Sequence, residues 1–200
     1  MIRVFIGHNQ GHAEMNRKTL LAAVAFAGAL SGCVTSTGTI YHTDDPYLFF
    51  GRAARSGNMP VMVVGDPPYP GRQPAVESMI LAALNRNFPS FGDPFRVVPP
   101  ASGTSSRVVV LFTSQGARPL AATICADPAR PGLTTPQGTQ LNIGVVYCVE
   151  GPASESWAWI LKPASLEADD FKKALDTAIY DALPREMEPS RRAGSLVPGT

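Results

Sequence analysis

Few residues of this chain can do chemistry, and their spacing limits what that chemistry is. There are three histidines, His8, His12 and His42. A Ser-His-Asp or Cys-His arrangement needs a histidine that a rigid neighbour orients. His42 sits in the polar stretch 34–46 (VTSTGTIYHTDDP), read here as a flexible tether that supplies no such neighbour. No HExxH, GxSxG, P-loop or dinucleotide fingerprint occurs, so metallopeptidase, serine hydrolase and NTPase readings lack their parts. Asp44-Asp45 reads as a solvated linker pair. Asp169-Asp170 cannot converge on one bond, because adjacent residues on a helix point about 100° apart; they suit the positive end of a helix instead. Asp66 and Asp93 stand in Gly-Asp-Pro contexts and read as turn formers, a carboxylate pair assembled from these distant positions being the alternative. The polar loop Ser102–Ser106 lacks the Lys and following helix of a phosphate cradle. No metal or cofactor is expected, and the chain is read as a non-enzyme.

The remaining candidates are aromatic. Trp157 and Trp159 are two residues apart and share a face if the segment is a strand. Under a helix they are core; on an open face they are a platform for a sugar or a partner. Tyr69, among prolines, is a further candidate contact.

The N-terminal region reads as targeting. From Met15, Arg17 and Lys18 give a short positive start. Leu20–Leu30 (LLAAVAFAGAL) is apolar and uncharged, the length of a signal-peptide core and too short to span a bilayer. Small residues Ser31 and Gly32 then precede Cys33. Leu30-Ser31-Gly32-Cys33 resembles the lipobox of bacterial lipoproteins. The resemblance implies diacylglyceryl transfer to the Cys33 thiol, cleavage before Cys33 and acylation of the new amine. Such multiple acyl chains make a durable anchor. Residues 1–14 read as a non-native N-terminal extension, 15–32 as the signal peptide and 33–46 as the lipidated tether. Val34, where an Asp would favour inner-membrane retention, leans toward the outer membrane, with the domain facing the periplasm. Lipidation leaves Cys125 and Cys148, and an even pair in an exported chain reads as a disulfide. The alternative is two separate buried thiols.

The 200 residues include 17 Lys+Arg and 16 Asp+Glu, a formal net charge of +1. That balance argues against a nucleic-acid partner, which asks for a basic face. Without a polybasic patch, contact with the bilayer is expected through acylated Cys33 alone. With 44% hydrophobic residues the chain can bury a core, and its length suits one domain.

Elements follow from periodicity. Tyr47–Phe50 reads as a short docking segment, 51–60 as irregular, and Val61–Val64 as a buried strand. Pro74 opens a helix with Val76, Met79, Ile80, Ala83 and Leu84 on one stripe, ended by Pro89. Phe95–Val98 is a strand, and Val108–Phe112 (VVVLF) a central one covered on both faces. Ala121–Cys125 reads as a strand; 126–140 is a Pro/Gly loop. Leu141–Val149 and Ser156–Lys162 alternate as half-buried strands do. Ser165 is the expected cap of a last helix with Phe171, Leu175, Ile179 and Leu183 on its inner stripe, stopped by Pro184. Residues 186–200 read as a disordered tail. The expected fold is α+β over 47–185: a mainly antiparallel sheet with a βαβ start and a C-terminal helix, two helices packed on one face.

The strand–helix–strand opening with FRVV and RVVVLF, the late aromatic strand and the closing Ala182-Leu183-Pro184 resemble small periplasmic lipoproteins. Among these are auxiliary lipoproteins of lipid-transport ABC complexes and the periplasmic domain of curli-secretion lipoproteins. The resemblance implies an interaction or assembly role, with an envelope protein or glycan as partner. A small-ligand or glycan binder using the aromatic face is the alternative, and an enzyme with a carboxylate-only site the third.

Overall fold

The computed structural model describes residues 34–65, 69–100, 106–114, 118–129 and 139–185. The lipobox, the signal segment, Asp66, most of the 102–106 loop and the tail 186–200 lie outside the described residues. The elements run β1 (Thr35–Ser36), β2 (Ile40–Tyr41), α1 (Pro46–Arg55), β3 (Met59–Val64), α2 (Gln73–Asn87), a 3-10 turn (Pro89–Phe91), β4 (Phe95–Val97), β5 (Ser106–Ser114), α3 (Ala121–Ala126), β6 (Gln140–Val149), β7 (Pro152–Leu161) and α4 (Asp169–Ala182). The sheet order is β1-β7-β6-β5-β3-β4, with β2 also on β7.

β3 is parallel to β4 and to β5, pairing Val61 with Val97 and Val63 with Val110. β5, β6 and β7 form an antiparallel meander, with Val110 opposite Val145 and Val145 opposite Ser156. The expected α+β class and βαβ start are therefore present. Apolar β-branched runs in β3 and β5 make this possible, because a strand buried on both faces has no polar side to spare.

α2 and α4 cover one face together, as expected. α2 turns in Val76, Ile80, Ala83 and Leu84; α4 turns in Phe171, Ala174, Leu175, Ala178, Ile179 and Ala182. They meet Val61, Val108, Val110, Phe112, Ile143, Val145 and Tyr147 in one cluster. Arg86 and Asp176 join the two helices at 2.5 Å. Burial pushes the Tyr147 phenol up to about 12, only partly opposed by its 3.0 Å hydrogen bond with Ser106.

Local expectations are corrected in four segments. Residues 46–55 are a helix, where a docking segment and irregular chain were expected. Asp45 is no solvated linker: its carboxylate accepts from the Leu48 N–H at 3.3 Å and caps α1, with Pro46 in the first turn. Phe50 and Ala54, one turn apart, face the core. Gly57, at φ 72°, ends the helix in a left-handed conformation that glycine adopts without strain.

Residues 121–126 are a helix and not a strand. Ala121, Ile124 and Cys125 are its buried residues, at helical spacing, and alanine is the best helix former. Short apolar runs are ambiguous between the two states.

α4 starts at Asp169 rather than near Ser165. Ala168 is its N-cap with no side-chain cap bond, and Asp169 and Asp170 occupy the first turn as expected.

Residues 34–46 are more than a tether, since β1 and β2 pair with β7 as Thr35↔Trp159 and Ile40↔Glu155.

Candidate functional site

The second sheet face is the less regular one and gathers most of the candidate residues. Period-2 alternation sends Met62 and Val64 of β3, Val109 and Leu111 of β5, Val146 and Cys148 of β6, and Trp157 of β7 to this side. Among the described residues the short α3 covers them, through Ala121, Ile124 and Cys125. A Cys125–Cys148 disulfide, Cα–Cα 5.6 Å, ties α3 to β6. The Arg107 guanidinium, its pKa lowered by burial, donates to the Cys125 carbonyl and fastens the same helix to β5.

A bond closing about two dozen residues stabilises by about 3 kcal/mol in the chain-entropy treatment. Replacing both cysteines by alanine should lower unfolding free energy by about that amount, read from urea midpoints. An unchanged midpoint would show that packing alone holds α3.

Trp157 is fully buried, its ring lying against Gly144 of β6. Its indole N–H donates to Glu155 Oε2 at 3.1 Å. Glu155 is the centre of a polar cluster at the β2–β7 edge. Its carboxylate lies 3.4 Å from His42 Nε2 and 3.6 Å from the Arg118 guanidinium. Arg118 also stands over the Trp157 ring, 5.8 Å from its centroid. A carboxylate only 9% exposed is held by one neutral donor and two outer, more exposed basic groups. That is an orienting network in which each polar group has a partner.

The expectation that His42 has no rigid neighbour is thereby corrected. β2 places it, through its backbone N–H to the Ala153 carbonyl at 2.9 Å, beside Glu155. Sequence reading missed Glu155 and Arg118. One signal was present: an acid at 155 in the same period-2 stripe as Trp157 and Trp159.

The three aromatic candidates do not form one surface. Trp157 is core, and Trp159 is half-buried beside it on the second face. Tyr69 packs on the first face, edge-on to Phe171 at 6.1 Å, and donates from its hydroxyl to the Pro163 carbonyl at 2.6 Å. Burial, and then Glu167, raise its pKa. With Trp157 in the core, the two tryptophans do not form an open aromatic platform, and Tyr69 stands apart from them. Asp93, the other turn candidate, is exposed and accepts from Asn85.

A cleft of about 290 Å³ lies elsewhere, lined by Tyr41, Asp44, Asp45, Pro46, Tyr47, Pro184 and Arg185. The Arg185 guanidinium stacks on Tyr180, 3.5 Å from the ring centroid, and donates to Asn87 at 3.0 Å. Exposed Tyr41, Leu48 and Phe49 lie on β2 and α1. This region offers aromatic and charged groups to a partner, without an arrangement that identifies a reaction.

No protein-family model matches this chain, and neither does any curated protein. Among solved structures, a variant of the PelC dodecamer from Paraburkholderia phytofirmans is similar at 12% identity and a TM-score of 0.35. The likeness covers 74% of this chain and 94% of that one.

Proposed function

We propose that this chain is a lipid-anchored lipoprotein of the bacterial envelope whose domain binds an envelope protein or glycan and catalyses nothing. The observation that carries the reading is the Leu30-Ser31-Gly32-Cys33 motif behind an uncharged apolar run. Two further facts support it. The Cys125–Cys148 disulfide suits an oxidising compartment outside the cytoplasm. The buried carboxylate Glu155 is engaged with Trp157, Arg118 and His42, which joins three segments of the fold. Val34 directs the reading to the outer membrane, with the domain facing the periplasm.

The test is the intact mass of the membrane-extracted protein, with and without reduction. The expected mass is that of residues 33–200 plus acyl chains, rising by two hydrogens on reduction. Crosslinking in the envelope then identifies the partner. A full-length, unmodified mass overturns the anchor. Turnover that depends on a side chain of the domain overturns the non-enzymatic role.

A further inference from the structure

We propose that the Trp159–Leu161 end of β7 rests against the lipid bilayer at headgroup level. The inference builds on the reading of Cys33 as acylated, and it adds an orientation that an anchor alone does not give. Cys33 lies two residues before Thr35, and Thr35 is paired with Trp159. Extended chain spans at most about 3.6 Å per residue, so the Cα of Cys33 lies within about 7 Å of that of Thr35. Antiparallel partners add about 5 Å. The Trp159 backbone is thus within about 12 Å of the lipidated residue, and the polar layer of each leaflet is itself several ångströms deep.

The connection has little freedom to swivel. The Ser36 hydroxyl donates to Asp181 of α4 at 2.5 Å. The Thr37 N–H donates to the Trp157 carbonyl at 2.9 Å, and the Trp157 N–H returns to the Thr37 hydroxyl at 3.1 Å. Val34 packs against the first-face core. The anchor therefore leaves from a fixed corner of the domain.

The chemistry of that corner fits a bilayer surface. Trp159 is half-buried, Leu161 is 75% exposed on the same strand face, and Lys162 follows. An indole, an aliphatic chain and an ammonium side by side are the groups that settle at the boundary of lipid and water. Of the other exposed large apolar residues, Tyr41, Leu48, Phe49, Leu120 and Tyr180, Tyr41 belongs to the far end of β7, and so does α1, which carries Leu48 and Phe49 and packs Phe50 on Tyr147, the partner of Ser154. Tyr41 pairs with Ser154, five residues from Trp159, or about 17 Å at strand rise.

The experiment uses the full chain, processed and extracted from membranes, in phosphatidylcholine vesicles with brominated acyl chains. A fluorophore is placed on Leu161→Cys in one preparation and on Leu48→Cys in another. Both positions are exposed, so neither change threatens the fold. The label at 161 should lose about half its emission or more in brominated vesicles, while the label at 48 changes little. Equal quenching, or stronger quenching at 48, overturns the proposal. Intact mass of the same samples separates the two failures. An acylated chain with an unquenched label at 161 overturns the orientation and leaves the lipoprotein reading standing. A chain without acyl groups overturns both.

Discussion

Gly144→Ala should destabilise the domain by about 3 kcal/mol, the upper end of the usual overpacking cost. A Cβ at this position would stand 2.7 and 2.8 Å from two ring carbons of Trp157. The ring cannot step aside cheaply, because it is fully buried and its N–H is held by Glu155. The cost is steric and not conformational, since Gly144 is in ordinary strand geometry. Trp157→Ala alone should cost about 3–5 kcal/mol through the cavity it leaves. In that background Gly144→Ala should be close to neutral or mildly stabilising, because the new methyl enters empty space and alanine favours a strand over glycine by about 0.5–1 kcal/mol. Urea unfolding followed by circular dichroism reads all four corners of the cycle. Additive costs would show that the two residues do not share this space.

Phe50→Ala should cost about 3–5 kcal/mol. Phe50 is fully buried, and its ring lies 5.0 Å from Phe88, 5.3 Å edge-on from Tyr147, 5.9 Å from Phe91 and 6.5 Å from Phe95. One side chain thus fastens α1 to the end of α2, to β4 and to β6. Truncating it removes burial and several ring contacts at once. Leu48→Ala, on the same helix but 54% exposed, should change stability by less than about 0.5 kcal/mol. Equal effects at the two positions would mean that α1 does not dock through Phe50.

The contrast between Phe50 and its surroundings shows where sequence reading loses information. Tyr47–Phe50 looked like an isolated apolar cluster, since Gly51 and the charged residues after it obscure the period. Asp45-Pro46 and Gly57 are cap and stop residue types that the linker and irregular readings passed over, and only long-range packing makes so short a helix stable. The misreading of 121–126 has a related cause. Ala121, Ile124 and Cys125 fit either state locally, and the sheet face beneath selects the helix.

Hydrophobic period settled the two long helices, the location of the strands from β3 to β7 and the pairing of both helices with one face, because each depends on a pattern repeated over many residues; β6 and most of β7, expected half-buried, are instead buried on both faces. The even pair of cysteines left after Cys33 pointed to Cys125 and Cys148. Nothing local could place His42 and Arg118 beside Glu155, or show that residues after Cys33 close the sheet edge at Trp159. Those contacts join positions far apart in sequence, and their partners are chosen by register and burial. The targeting motif lies in local sequence, readable one residue after another. The surface that an anchor at Cys33 would turn toward a membrane is decided by tertiary structure, because only strand pairing determines which end of β7 lies beside Thr35.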